Sequence, residues 1–341
     1  KEGNTLYITG SKIKRVGKLI DANESGSTIR FMIPIALVNN EPITFTGKNH
    51  LVKRPLDSYY EIFDRLGISY NHPLDAYLPL EVNGGLKFGV YEMRGDISSQ
   101  FITGLLYALP LLDGNSTIKI TTNLESKSYI DLTLDILSKF GIEIENNQYK
   151  EFIIKGNQKF KPFDYTVEGD YSQSAFFLVA GALGNDVKLL AMNEFSYQGD
   201  KKIIQDMIDF GCDIIADKDT LVCESKELVG ATIDFAQSPD LGPALTVLAS
   251  VAKGTSNFIN AARLRIKECD RITCMRIELE KMGAKISETF DAMEIVGVEQ
   301  LHGAVIDSHN DHRVAMAIAM AATIANSEVK ILNAGGQSIK I

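Results

Sequence analysis

Charged side chains are concentrated in one short segment, Arg263–Arg271, which holds six charged residues in nine positions. The segment follows a predicted strand over Ser256–Ile259 and precedes a predicted helix, so it forms a loop at a helix end. Lys and Arg side chains in such a loop can hold the phosphate or carboxylate groups of an anionic ligand. The same composition also fits a solvated loop, and the residues alone leave both interpretations open.

A carboxylate at Asp240 lies in the polar segment Ser238–Pro243, which opens directly into an apolar run. An Asp at such a position either caps the helix that follows or transfers protons to and from a ligand. The local residue pattern by itself favours the cap.

Two histidines, His309 and His312, accompany another polar segment that opens an apolar run, Asn310–Arg313. A metal centre needs at least three protein ligands, and the sequence offers no third candidate beside this pair. We therefore expect no metal site there.

These polar segments recur at intervals of about 70 residues, and each opens into an apolar run that is typical of a buried helix. The five copies are Ser25–Leu37, Asp96–Leu111, Asp170–Leu183, Ser238–Val251 and Asn310–Ala322. A helix N-terminus offers free N–H groups and the positive end of the helix dipole, so it can bind anions. Five such segments in register, with basic residues beside them, favour phosphate binding over simple capping.

A second helix is predicted in four of the copies, and each ends in a hydrophobic residue followed by Gly. The glycines are Gly67, Gly141, Gly211 and Gly283. The second copy predicts a strand at Leu86–Tyr91, a buried helix at Phe101–Leu112, a strand at Ser116–Thr121, an amphipathic helix at Tyr129–Phe140, and strands at Ile142–Ile144 and Phe152–Ile154. The repeated unit therefore has the order β-α-β-α-β-β. Repeated units of this kind bury their apolar faces against their neighbours.

An α/β fold with the apolar helices inside and the sheets outside follows from this repeat. Three units would close one domain around a pseudo-symmetry axis, and the chain length of 341 residues fits two domains. We expect the boundary near residues 165–169, which gives domains over 1–166 and 167–341.

The bulk composition excludes several classes of protein. A net charge of −9 argues against a nucleic-acid partner. No apolar run reaches the roughly 18 residues of a membrane span, so we expect no membrane partner. The four cysteines fit no zinc pattern and suit a reducing compartment, which favours the cytoplasm. The sequence begins with Lys1 and shows no signal peptide, so we expect it to be part of a longer polypeptide.

Seven segments, in this order along the chain, resemble the 5-enolpyruvylshikimate-3-phosphate synthase family. They are Asn23–Arg30, Arg54-Pro55, Gly95–Phe101, Glu168–Ser172, Ser238–Asp240, Leu264–Arg271 and Asn310–Arg313. Each segment alone is a modest signal, but together they are specific and cover essentially the whole chain. The resemblance implies the enolpyruvyl transferase fold, a two-domain inside-out α/β barrel, with the shikimate phosphate on the N-terminal side and phosphoenolpyruvate on the C-terminal side.

The resemblance also implies a reaction. The 5-hydroxyl of shikimate 3-phosphate attacks phosphoenolpyruvate, a tetrahedral adduct forms, and phosphate leaves to give an enolpyruvyl ether of the shikimate pathway, which supplies aromatic amino acids. This chemistry needs no cofactor. Glyphosate competes with phosphoenolpyruvate in the family, and we expect the protein to act as a monomer.

Roles for individual residues are implied by the same resemblance. The shikimate phosphate would be held by Ser98, Ser99 and Ser126. Gln100 would lie between the substrates, and Tyr129 against the shikimate end. Asp240 would be the proton acceptor, Lys267 would lie near the reacting hydroxyl, and Glu268 would transfer the proton at the phosphoenolpyruvate methylene. Phosphoenolpyruvate would be bound by Gly26, Arg54, Arg271 and Arg313, and Arg263 occupies a substrate-binding position where the family often has Asn.

Two family motifs are incomplete. The N-terminal Lys-Ser…Arg motif would lie before Lys1 and is expected to be missing together with the first unit of its domain. The C-terminal motif is cut short, and the sequence leaves open whether Lys340 is its lysine.

Three alternatives compete with this assignment. UDP-N-acetylglucosamine enolpyruvyl transferase shares the fold and chemistry, but it normally carries a reactive N-terminal cysteine, whereas all four cysteines here lie beyond residue 210. RNA 3′-phosphate cyclase shares the repeat style and would need a basic face. A non-catalytic, anion-binding remnant is the third.

Overall fold

Two units make up the chain, residues 1–165 and residues 166–341. The computed structural model describes residues 3–13, 17–217, 219–225 and 227–334. No helix within these ranges is both long enough and apolar enough to cross a membrane.

The first unit contains two copies of the β-α-β-α-β-β repeat. The first copy consists of β1 (Leu19–Asp21), α1 (Gly26–Ala36), β2 (Ile43–Thr46), α2 (Asp57–Leu66), β3 (Ser69–Asn71) and β4 (Leu80–Asn83). The second consists of β5 (Val90–Met93), α3 (Ser99–Ala108), β6 (Ser116–Ile120), α4 (Lys127–Lys139), β7 (Ile144–Asn147) and β8 (Glu151–Ile154). Both sheets have the same strand order, β1-β2-β4-β3 and β5-β6-β8-β7, and in each the first two strands are parallel.

The second unit repeats this pattern with variations. Its elements are α5 (Tyr171–Ala182), β9 (Lys188–Leu189), α6 (Ile203–Asp209), β10 (Cys212–Asp217), β11 (Thr220–Ser225), β12 (Thr232–Asp234), α7 (Gly242–Val251), β13 (Thr255–Ile259), α8 (Arg271–Lys281), β14 (Lys285–Glu288), β15 (Met293–Val296), β16 (Val305–Asp307), α9 (His312–Ala322) and β17 (Lys330–Leu332). The order β12-β13-β15-β14 matches both sheets of the first unit, β10-β11-β9 is a three-stranded variant, and β16 pairs in parallel with β17.

Apolar helices form the core of each unit. α1 packs against α3, and α5, α7 and α9 pack against one another. Every residue of α7 from Gly242 to Ser250 is buried. Strands such as β4 and β13 instead alternate between buried and exposed residues, because one sheet face covers the core and the other meets solvent. The predicted arrangement, with buried helices and sheets outside, is confirmed.

Helix ends follow the local sequence closely. The four glycines predicted to end helices all have positive φ, including 68° at Gly67 and 93° at Gly283, a conformation that glycine adopts without steric cost. The predicted strand at Leu86–Tyr91 is wrong in its bounds, since β5 begins only at Val90. Gly89, which lies inside the predicted segment, has a φ of 148°, a conformation that a regular strand does not use.

Candidate active site

Three helix N-termini of the second unit meet at the side chain of Arg313. Its guanidinium donates from Nη2 to the Ser172 hydroxyl at 2.6 Å and from Nη1 to the Asp240 carbonyl oxygen at 3.0 Å. Ser172 lies in the first turn of α5, Asp240 in the turn before α7, and Arg313 in the first turn of α9. A basic side chain therefore lies where the starts of these three helices come together.

Asp240 does not cap a helix through its carboxylate, so the interpretation that the local pattern favoured is wrong. A short 3-10 turn, Pro239–Leu241, precedes α7, and neither flanking residue caps through its side chain. The carboxylate turns instead to cations from distant segments. Its Oδ1 lies 3.0 Å from Lys267 Nζ and 2.8 Å from Arg271 Nη1.

Electrostatics keep Asp240 ionised. Burial raises the pKa of its carboxyl, but the charges of Lys267, Arg313 and Arg271 outweigh burial and hold the pKa well below its usual value. Burial lowers the pKa of Lys267, Asp240 opposes that effect, and Arg271 and Arg263 lower the pKa further. The Asp240 carboxylate, 20% exposed, is therefore ionised and able to accept a proton, but its lowered pKa makes it a weak base.

Arg271 holds three carboxylates in fixed positions with one guanidinium, whose side chain is 1% exposed. Nε donates to Asp311 at 2.8 Å, Nη1 to Asp240 at 2.8 Å and Nη2 to Glu268 at 2.6 Å. The planar fork of Arg suits this geometry, which a lysine could not reproduce. Glu268 is thereby fixed close to Asp240, on the segment just before α8.

Asp311 had no individual role in the sequence analysis. It is fully buried, accepts from the Arg313 backbone N–H at 2.8 Å and so caps α9. Burial raises its pKa, but Arg271, His312 and the Arg313 N–H together outweigh burial and lower the pKa to about 2. The only sequence signal for this residue was its place in the motif Asn310–Arg313, which opens a helix, since Asp is a common helix cap.

The segment around Arg263 and Lys267 is a 3-10 turn, Ala262–Ile266, followed by the cap of α8. Asp270 caps α8 by accepting from Thr273 N at 3.1 Å. Arg265 donates to the Asp270 carboxylate at 2.7 Å, so part of the charged segment serves structure. The solvated-loop interpretation is wrong for this segment, since its charges pair with one another and with Asp240.

The histidines do not form a metal centre. Among the described residues, no group of three or more His, Cys, Asp and Glu side chains is arranged to hold a metal ion. His309 instead contacts the buried Glu278, with Nε2 at 2.8 Å from Oε1. Burial lowers the pKa of His312, which lies beside Asp311.

Gly26 and Arg54 touch in the first unit. Gly26 opens α1, where Ser25 caps the helix by accepting from Thr28 N at 3.1 Å. A Cβ built on Gly26 would lie 2.6 Å from Arg54 Nη1, a distance that real Cβ atoms do not reach. The glycine therefore makes room for the guanidinium at a helix N-terminus.

Ser98, Ser99 and Gln100 lie at the start of α3. Ser98 caps the helix, since its hydroxyl accepts from Gln100 N at 3.4 Å, and Ser99 is buried. The Gln100 side chain accepts from Arg30 Nη1 at 2.8 Å. Arg30 lies in the Asn23–Arg30 motif but had no separate role in the sequence analysis, because its partner is 70 positions away.

Ser126 and Tyr129 lie at the start of α4. Ser126 is 1% exposed and has the left-handed conformation φ 54°, ψ 45°. Its carbonyl oxygen accepts from Tyr129 N at 3.2 Å, and the N–H of Glu125 donates to the Gly95 carbonyl at 3.1 Å. The loop before α4 is thus tied to the loop before α3. Lys340 lies outside the described residues.

Comparison with known proteins identifies the family. The family model of EPSP synthase (3-phosphoshikimate 1-carboxyvinyltransferase) matches residues 1–337. The chain belongs to the EPSP synthase family. The 3-phosphoshikimate 1-carboxyvinyltransferase of Clostridium novyi is 52% identical over 333 residues, which cover 97% of this chain and 76% of that protein. The enzyme of the same name from Clostridium acetobutylicum is 48% identical over 332 residues, covering 97% of this chain and 77% of that protein.

The fold of the EPSP synthase family is found in solved structures as well. EPSP synthase from Acinetobacter baumannii matches with a TM-score of 0.75 and 25% identity, covering 95% of this chain and 77% of that one. The predicted family, the enolpyruvyl transferase fold and the enzyme class, a transferase of the shikimate pathway, are confirmed. The comparisons do not support the UDP-N-acetylglucosamine alternative.

Proposed function

We propose that the chain transfers the enolpyruvyl group of phosphoenolpyruvate to shikimate 3-phosphate, with Asp240 as proton acceptor and Glu268 as the second proton-transfer group. The observation that carries this proposal is the largely buried, ionised Asp240 carboxylate, 3.0 Å from Lys267 and 2.8 Å from Arg271. A base with a low pKa can act at neutral pH only when its surroundings also stabilise the charge that develops on the substrate. The positive charge of Lys267 would stabilise the charge that develops on the substrate.

The proton steps balance with these groups alone. Before the addition, the Glu268 carboxylate takes up one proton from solvent. In the addition, Asp240 takes the hydroxyl proton while the oxygen attacks phosphoenolpyruvate at the carbon that carries its phosphate, and Glu268 gives its proton to the methylene carbon. In the elimination, Glu268 takes a proton back from the new methyl group, and the bond to phosphate breaks. The departing phosphate accepts the proton held by Asp240, which restores both carboxyl groups.

Substrate anions would be held by cations and helix N-termini. Arg271 and Arg313 present guanidinium groups beside the starts of α5, α7 and α9, which supports phosphoenolpyruvate binding in the second unit. Arg54, seated against Gly26, would bind the same substrate. Arg263, which acts on the pKa of Lys267, would bind substrate near that lysine.

The shikimate phosphate would be held by hydroxyls at the starts of α3 and α4. Ser98, Ser99 and Ser126 all lie at helix N-termini, where N–H groups favour a phosphate. Gln100, oriented by Arg30, would lie between the substrates, and Tyr129 in the first turn of α4 would flank the shikimate end. We accordingly assign residues 1–166 to the shikimate-phosphate side and residues 167–341 to the phosphoenolpyruvate side.

A monomer in the cytoplasm is the form in which we expect the protein to act. All four cysteines are free thiols, which suits a reducing compartment. Light scattering of the purified protein tests the oligomeric state, and a stable dimer would contradict it.

Phosphate release from phosphoenolpyruvate, with and without shikimate 3-phosphate, tests the function. We expect release only when shikimate 3-phosphate is present. Release that depends on UDP-N-acetylglucosamine instead would contradict the proposed acceptor. Binding of both anions without any release would favour the non-catalytic remnant and contradict the proposed catalysis.

A further inference from the structure

A buried carboxylate of α8, Glu278, has no role in the proposed chemistry, and its side chain is 1% exposed. Its Oε2 accepts from Lys281 Nζ at 2.6 Å and from the Asp307 N–H at 3.0 Å. Its Oε1 lies 2.8 Å from Nε2 of His309. Burial raises the pKa of Glu278, but these three partners together outweigh burial and lower the pKa. Because an ionised carboxylate can only accept hydrogen bonds, His309 is the donor in this contact.

His309 lies in a turn between β16 and α9 that has a rare backbone conformation. Both central residues of the turn, His309 and Asn310, are left-handed, with φ of 52° and 54°. The N–H of Asp311 closes the turn by donating to the Ser308 carbonyl oxygen at 2.9 Å. Residues other than glycine reach this region at a steric cost, so the conformation persists only where neighbouring contacts hold it. The contacts that hold this turn therefore decide where α9 begins.

One face of α8 holds both ends of the turn. Arg271 and Glu278 are seven positions apart, about two helical turns, so their side chains lie on the same side of the helix. Glu278 holds the start of the turn through the Asp307 N–H and the His309 ring. Arg271 holds its end, since Nε donates to Asp311 Oδ2 at 2.8 Å. A single helix thus fixes the turn at both ends.

The turn places a cation of the candidate site. Asp311 caps α9, and Arg313 lies in the first turn of that helix. The Arg313 guanidinium contacts the Ser172 hydroxyl and the Asp240 carbonyl oxygen. The Arg313 N–H donates to Asp311 Oδ1 at 2.8 Å, so the position of the guanidinium depends on the position of the turn. A shift of the turn would move this guanidinium away from the starts of α5 and α7.

We propose that Glu278 and His309 are positioning residues for phosphoenolpyruvate, because their contact fixes the turn before α9 and so places the Arg313 guanidinium. Neither side chain is assigned a contact with substrate. The effect on phosphoenolpyruvate rests on the proposed function, whereas the effect on the turn depends on the contacts with α8 alone. Since Glu278 is buried, solvent and salt screen this charged hydrogen bond less than one at the surface.

The contact can be removed while the buried carboxylate keeps other partners. In His309→Ala, Glu278 retains its bonds to Lys281 and to the Asp307 N–H, so we expect the protein to fold. KM for phosphoenolpyruvate should rise roughly fivefold to tenfold, because Arg313 is less well placed. KM for shikimate 3-phosphate should stay within about twofold of the parent, and kcat should change less than KM for phosphoenolpyruvate, since the lost interaction serves binding.

Two further variants at the same position separate the contact from the backbone. In His309→Gln the side-chain amide can donate to the Glu278 carboxylate, so KM for phosphoenolpyruvate should return to within about twofold of the parent. His309→Gly removes the contact and also the steric cost of the left-handed conformation, so it should fold even if His309→Ala does not. Its KM for phosphoenolpyruvate should be raised as in His309→Ala, because the link to α8 is missing in both.

Matched controls remove a histidine and a carboxylate elsewhere in the second unit. His302→Ala removes an exposed histidine whose Nδ1 lies 2.9 Å from Asn326 Nδ2. Glu280→Gln removes an exposed carboxylate of α8 that pairs with Arg276 at 2.9 Å. Both variants should keep the KM values of the parent, since these partners lie outside the turn.

Amide hydrogen exchange gives a readout that requires no activity. The N–H groups of Asp311 and Arg313 donate within the turn and the cap of α9. They should exchange several-fold faster in His309→Ala than in the parent, and at the rate of the parent in His309→Gln.

The outcomes separate a positioning role from a merely structural one. The proposal is overturned by a lower melting temperature of His309→Ala with an unchanged KM for phosphoenolpyruvate, by a normal KM in His309→Gly, or by a raised KM in His309→Gln. Unchanged hydrogen exchange in His309→Ala overturns it as well. A parent protein without release that depends on shikimate 3-phosphate contradicts the proposed function, while hydrogen exchange still decides whether the contact with Glu278 holds the turn.

Discussion

Lys267 places its ammonium nitrogen 3.0 Å from Oδ1 of Asp240, and the same oxygen accepts from Arg271 at 2.8 Å. One carboxylate oxygen thus balances two cations in a largely buried site. Coulomb attraction at such distances is strong where water is scarce, so the pKa of Asp240 lies well below its usual value. The carboxylate balances charge and, in the proposed function, also accepts a proton, so we expect a substitution there to affect both.

Asp240→Asn should separate these two roles. We expect kcat for phosphate release to fall roughly 100- to 10,000-fold, because the amide cannot accept the hydroxyl proton. Binding of phosphoenolpyruvate should be retained or tightened, because Lys267 and Arg271 keep their charges. Asp234→Asn is the matched control, since Asp234 is an exposed carboxylate at the end of β12. A kcat within a few-fold of the parent would contradict the proposed role.

Asp311 should make the fold sensitive to acid. Its pKa is about 2 in the folded protein, against about 3.9 in an unfolded chain. A carboxyl with a lowered folded pKa stabilises the fold above the unfolded value, and this stabilisation disappears as the pH falls from about 4 to about 2. Urea unfolding from pH 7 to pH 3 should therefore show a loss of roughly 1 kcal/mol from this group, about half of the roughly 2–3 kcal/mol that is lost once the pH is below 2.

Asp311→Asn should flatten that dependence. At neutral pH the variant should already be less stable by roughly 3–5 kcal/mol, because Arg271 would lose a partner in a buried ion pair. Asp213→Asn, at an exposed position on β10, should leave both the stability and its pH dependence unchanged. An Asp311→Asn protein with the parent's acid profile would show that the lowered pKa does not contribute to stability.

Local signals in the sequence predicted the repeat well. The glycines at 67 and 283 end helices because the left-handed conformation is cheap only for Gly, and this rule needs no tertiary contact. The caps at Ser25 and Asp170 follow from the same local chemistry. The strand expected at Leu86–Tyr91 was misplaced because its alternation of apolar residues includes Gly89, which has a positive φ.

Long-range pairing explains what the sequence could not predict in the site. Asp240 resembles a helix cap locally, but its partners Lys267 and Arg271 are 27 and 31 positions away. Arg313 and Ser172 are 141 positions apart, and no local pattern relates them. The family resemblance supplied roles for most of these residues, whereas their hydrogen-bond partners became visible only in the fold.

Gly26→Ala should weaken phosphoenolpyruvate binding. The new Cβ would lie 2.6 Å from Arg54 Nη1, so the guanidinium must move. A charged hydrogen bond contributes about 1.5–3 kcal/mol, so KM for phosphoenolpyruvate should rise roughly tenfold or more while KM for shikimate 3-phosphate stays unchanged. Inhibition by glyphosate should weaken in parallel. Gly10→Ala, where a Cβ meets nothing within 4 Å, is the control, and equal KM values in both variants would contradict the steric argument.

Ser126→Gly should separate the conformation of this residue from its hydroxyl. Ser126 has φ 54°, which glycine adopts at lower cost, so the free energy of unfolding should stay within about 1 kcal/mol of the parent. KM for shikimate 3-phosphate should nevertheless rise roughly tenfold or more, because the phosphate loses a hydrogen-bond donor. Gln148→Gly, at an exposed position with φ 54°, should leave KM unchanged. A normal KM in Ser126→Gly would remove this hydroxyl from the proposed phosphate site, because the backbone conformation is preserved in that variant.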